Sequence, residues 1–92
     1  MAGSSIPTPP PLTGDDITHF RCVISGGRMN PGQRITVEVI SLVDDGQASP
    51  PILTTHGNLD MTPDQAVHLA DTLTEARRVY SDALAAHWES LA

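Results

Sequence analysis

The sequence predicts an α+β fold, a three-stranded antiparallel β-meander packed against one long C-terminal α-helix. Three observations predict it. From Thr62 to Leu91 the apolar residues recur at steps of three and four, the period of one helix face. Two earlier stretches, Ile17 to Ser25 and Arg34 to Val43, alternate in polarity as strands do. The segments between them, GGRMNPGQ and DDGQASPP, are concentrated turn chemistry.

Taken in order, residues 1–16 form a Pro/Ser/Gly-rich tail. Pro7, Pro9, Pro10 and Pro11 favour polyproline II and oppose both helix and sheet. A disordered or surface-draped tail is expected there, with residues 17–92 as the single folded domain. Pro7 to Pro10 matches the minimal PxxP ligand pattern, which Pro-rich tails satisfy by composition alone. In the first strand Phe20, Cys22 and Ile24 share one face, and His19, Arg21 and Val23 the other. Asn30-Pro31-Gly32 then marks a turn. In the second strand Ile35, Val37 and Val39 point one way, and Thr36, Glu38, Ile40 and Leu42 the other. Its second half is apolar on both faces, as suits a central strand. Ile52 to His56 is a short third strand, and Gly57 to Met61 leads to the helix. One sheet face takes the helix. The other, with Val23, Ile40 and Leu42 among Arg21 and Glu38, is half apolar and is a candidate for burial by a second copy.

The helix announces its own start. Thr62 can cap the first turn and Gln65 can reach back to the Thr62 amide, a capping box. Pro63 falls at the first helical position, where its missing N–H costs nothing. Asp64 complements the helix dipole, and Met61 is placed to staple onto Ala66. The apolar stripe runs Ala66, Leu69, Ala70, Leu73, Ala76, Tyr80, Ala83, Leu84, Trp88, Leu91. About 29 helical residues span roughly 43 Å, whereas an eight-residue strand spans only ~27 Å. An unbroken helix therefore overhangs the sheet by its last turns, which carry the chain's one Tyr and one Trp. The competing reading is a break near Ser81-Asp82, with a second helix folded back. The overhang makes Tyr80, Leu84, His87, Trp88 and Leu91 the candidate protein interface, since Tyr and Trp are enriched at binding hot spots. The plainer reading is that Trp88 closes the protein's own core or a dimer core.

Composition narrows the class. In 92 residues, 39% are hydrophobic but only 3% aromatic, so the core must be built from Val, Ile, Leu and Ala. The formal net charge is −6, from 5 basic and 11 acidic residues, which opposes nonspecific nucleic-acid or anionic-membrane binding. All five basic residues are Arg (21, 28, 34, 77 and 78), and Lys is absent, a usage that GC-rich coding tends to give. A single cysteine suits a reducing compartment. Residues 1–16 lack the basic and apolar regions of a signal peptide, and no run approaches a membrane span, so a cytoplasmic protein is expected.

No residue set points to chemistry. His19 and Cys22 are three apart in a strand and so face opposite ways. His68 and His87 are nineteen residues apart on the helix, roughly 28 Å along its axis. No metal site, no cofactor and no catalytic residue is expected. Cys22 beside Phe20 and Ile24 reads as a small core hydrophobe, although His56 or His19 could in principle serve it as a base. Asp15-Asp16 and Asp44-Asp45 lack calcium-loop spacing. Gly26-Gly27 lacks the helix a phosphate cradle needs. Arg77-Arg78 is too small for a nucleic-acid footprint; Arg77 borders the apolar stripe, where Glu38 is one candidate partner.

The segment His56-Gly57-Asn58-Leu59-Asp60-Met61-Thr62-Pro63-Asp64-Gln65-Ala66-Val67-His68-Leu69-Ala70 resembles a helix-start pattern of small actinobacterial and actinobacteriophage proteins of unknown function, Leu-x-Leu-Thr-Pro-x-x-Ala-x-x-Leu-Ala. The resemblance covers roughly residues 50–80. Met61 stands in place of the second Leu, and the Cys/His-rich region that precedes it in some members is missing. It implies a mycobacterial or mycobacteriophage origin and no activity. The expectation is then a small acidic interaction or regulatory protein, homodimeric, acting in the cytoplasm of a cell or of a phage host and binding a host protein. An acidic regulator that imitates nucleic acid toward a basic partner is the alternative; a small enzyme using Cys22 and His56 is the weakest.

Overall fold

The computed structural model describes residues 16–92, so the Pro-rich tail lies outside the described residues apart from Asp16. Strands β1 (Ile17–Ser25), β2 (Arg34–Ser41), β3 (Val43–Asp44), β4 (Gln47–Ala48) and β5 (Ile52–Asn58) precede one helix, α1 (Pro63–Ser90). The main sheet is antiparallel in the order β1-β2-β5, with β2 central, and β3-β4 is a separate two-stranded hairpin. This is the α+β fold that the polarity pattern predicts.

Register fixes which side chains meet. Cys22 lies opposite Val37 and Phe20 opposite Val39, and Val37 and Val39 lie opposite Thr55 and Leu53. That row faces α1. Val37, Val39 and Ala76 are wholly buried, with Phe20, Leu69, Val79 and Tyr80 packed around them. The helix lies mainly over β1 and β2 and covers β5 less.

Two departures from simple alternation have identifiable causes. A bulge between Thr18 and Phe20 takes His19 out of the register, and its Nε2 lies 3.0 Å from Ser41 Oγ. The predicted second strand runs to Val43, but β2 ends at Ser41. Leu42 instead donates its N–H to Ser49 Oγ at 3.0 Å, and the chain turns into the small hairpin. At its tip Asp45 and Gly46 both have positive φ, 51° and 75°, the backbone of a two-residue primed turn, for which Asp-Gly is a favoured sequence. The third strand extends past His56 to Asn58.

The helix start is as its residues predict. Gln65 N–H donates to Thr62 Oγ1 at 3.2 Å, and Thr62 N–H to Gln65 Oε1 at 3.0 Å, with Pro63 in the first turn. Gln65 also donates to the carbonyls of Ser25 (3.2 Å) and Gly26 (2.9 Å), tying the cap to the end of β1. Thr62→Ala is therefore expected to lower the unfolding free energy by about 1 kcal/mol, measured by urea denaturation at fixed protein concentration. Past Ser81 the helix continues unbroken to Ser90, so the break is not adopted, and Trp88 and Leu91 at its end are exposed.

Candidate protein-interaction surface

The sheet-facing side of α1 is narrower than its apolar stripe. Residues 65, 69, 72, 76, 79, 83 and 87 are half-buried or buried, each three or four apart, so they form one line along the helix, with half-buried Tyr80 and Leu84 at its edge. Thr72 belongs to that line although it is polar; its Oγ1 lies 3.8 Å from Cys22 Sγ, and it is buried. Ala66, Ala70 and Leu73, which the stripe places toward the core, are exposed. At about 100° per residue they sit roughly 80–140° around the helix from Gln65, on one flank of the buried line.

The candidate interface residues divide accordingly. Tyr80 packs against the core cluster and is half-buried. Leu84 and His87 are half-buried. Trp88 and Leu91 are 55% and 61% exposed. The His87 ring meets the Trp88 indole edge to face, with centroids 4.9 Å apart. Four of the five thus lie beyond Tyr80, and the two at the tip are open.

The flanks of α1 differ in charge. Asp64, Asp71, Glu75, Asp82 and Glu89 share one flank of the helix. There Arg78 donates to Glu75 and to Asp82, the latter at 3.0 Å. The hydrogen bond from Arg78 holds the Glu75 carboxyl below its ordinary pKa. The opposite flank carries no acid. It holds Ala66, Ala70, Leu73, Leu84, Trp88 and Leu91, with Arg77 as the one charge.

Arg77 does not reach Glu38. Glu38 lies on the other side of the sheet, where it accepts from Arg21 Nε at 3.2 Å and pairs with His56 Nε2 at 2.9 Å. Arg77 forms no ion pair among the described residues. That charged trio crosses the open sheet face between Val23 on one side and Ile40 and Ile52 on the other, so the face is not a continuous apolar patch. Cys22 faces the helix and His56 the open side, so the sheet separates the two groups of the enzyme reading. Among the described residues no group of three or more His, Cys, Asp or Glu is placed to hold a metal ion, and no helix is long and apolar enough to cross a membrane.

Val79 and Thr72 complete the sheet-facing line and were not legible as core from the sequence. The signal was present in the cap: counting in steps of three and four from Gln65, which must face β1 to bond its carbonyls, gives the observed line. Comparison with protein families, curated proteins and solved structures finds no match.

Proposed function

We propose that this chain is a small acidic interaction protein that works by binding protein surfaces, its own copies first, through the end of α1. The observation that carries this reading is the imbalance between core and surface. Among the described residues Ile24, Val37, Val39, Pro51 and Ala76 are the buried apolar side chains, while nine large apolar side chains are exposed, Trp88 and Leu91 among them. Burying a large apolar side chain contributes about 1.5–3 kcal/mol, so a second molecule that covers this end gains what the monomer leaves in water. Large exposed apolar patches mark interaction sites. The resemblance of the helix start to that of small actinobacteriophage proteins is compatible with a phage-encoded protein that acts on a host protein in the host cytoplasm.

The acid-lined flank favours a second reading, an acidic regulator that occupies the nucleic-acid surface of a basic partner. Arg78 neutralises part of that flank, which weakens the imitation, and such a complex would weaken steeply with salt where an apolar contact would not.

Sedimentation equilibrium of the wild type and Trp88→Ala tests the first reading. The expected result is a wild-type dimer and a variant that associates at least ~30-fold more weakly, the loss typical of a hot-spot residue, with an unchanged far-UV spectrum. Self-association that is the same in both proteins moves the interface away from the end of the helix and overturns the reading.

A further inference from the structure

The acid-free flank of α1, exposed at Ala66, Ala70, Leu73, Arg77 and Leu91 and half-buried at Tyr80, Leu84 and His87, is built on a repeat. Ala66, Ala70, Leu73, Arg77, Tyr80, Leu84, His87 and Leu91 follow one another at steps of four and three without interruption, the spacing of a helix–helix seam. Trp88 borders the same line. This seam runs beside the buried one that meets the sheet and touches it at Tyr80 and His87, which are half-buried. The seam is also graded in size, with small residues at its start and large ones at its end.

Resting on the self-association reading above, we propose that two copies pair antiparallel along this seam, each helix end packing on the other's helix start. An antiparallel partner centred between Arg78 and Val79 sets Ala66 opposite Leu91, Ala70 opposite His87 with Trp88 beside it, Leu73 opposite Leu84, and Arg77 opposite Tyr80. Each large side chain then meets a small one or an equal, which is the alternation a close-packed contact needs. A parallel pair would instead stack Trp88 on Trp88 and leave Ala66 on Ala66 with a gap.

Three further observations favour a second copy as the occupant. The seam carries no acid, so two chains of net charge −6 can approach along it with their acidic flanks turned outward. Arg77, without an ion-pair partner among the described residues, comes against the Tyr80 ring of the second copy, an arrangement that suits a guanidinium on an aromatic face. The seam is ~38 Å long on a helix ~10 Å wide, a footprint of the same order as the ~800 Å² that each partner contributes to a stable complex.

Disulfide trapping tests this in a Cys22→Ser background. Ala66→Cys and Leu91→Cys are prepared separately and oxidised alone and as a mixture with oxidised glutathione. The expected result is a covalent dimer from the mixture and none from either variant alone, since in an antiparallel pair like positions lie ~37 Å apart. Covalent dimers from each variant alone signify a parallel pair and overturn the proposal. Leu73→Glu is expected to weaken self-association at least ~100-fold, whereas Val67→Glu, on the outer surface away from the seam, leaves it unchanged. A dimer that survives Leu73→Glu uses another surface and overturns the seam, while the Trp88→Ala result judges the broader reading separately. A wild type that stays monomeric at ~100 µM overturns the pairing and leaves the Trp88 end open for a different protein.

Discussion

Gly57→Ala is expected to destabilise the protein by about 2–4 kcal/mol, although it adds one methyl group at an exposed position. Gly57 sits within β5 at φ +99°, and a Cβ built there would lie 2.3 Å from the Arg34 carbonyl oxygen. An L side chain rarely adopts that backbone, and the carbonyl it would strike belongs to β2, which pairs with this strand. Relief requires the end of β5 to move off β2. Movement there reaches the segment that delivers Thr62 to the helix start. Thermal or urea unfolding, followed by circular dichroism at one protein concentration, measures the loss. A change below ~1 kcal/mol would show that this end of the strand gives way without cost and that β5 pairs less firmly than its register implies.

Val37→Ala is expected to cost about 2–3 kcal/mol, the transfer of two buried methyl groups plus the cavity they leave. Val37 is wholly buried between β2 and α1, against Val39 and Ala76 with Phe20, Leu69, Val79 and Tyr80 around them. Val23→Ala is the paired control. Val23 stands on β1 facing the open side, 39% exposed, and its loss should stay within ~0.5 kcal/mol. Urea unfolding of both variants decides it. Equal losses would mean that a second molecule covers the open sheet face and that the buried row is not the principal core.

How far the sequence reaches can be read from particular residues. Thr62, Pro63, Asp64 and Gln65 specify the helix start completely, because capping is local: donors and acceptors lie within three residues of each other. Alternation gives β1 with both its ends and puts Phe20, Cys22 and Ile24 on the helix side, since side-chain direction in a strand has period two. The Asp45-Gly46 hairpin was half legible, because turn residues mark a reversal without stating that the residues around it pair. Gly57 was not legible as a strand residue, since nothing local tells a glycine at a tight backbone approach from one in a loop.

The candidate interface was legible as a list and not as a surface. Period alone places Ala66, Ala70 and Leu73 with Leu69 and Ala76 on one broad stripe, and it cannot say which edge of that stripe meets the sheet. The sequence by itself determined the element order, the cap and the length of the helix relative to the strands. These follow from local geometry and from lengths that add along the chain. Only the tertiary structure decided the rotation of the helix about its axis. That rotation is set by Gln65 bonding the end of β1 and by Thr72 meeting Cys22, contacts between residues forty and fifty apart. It turns Thr72 and Val79 inward, and it leaves the Ala66-to-Leu91 flank facing out.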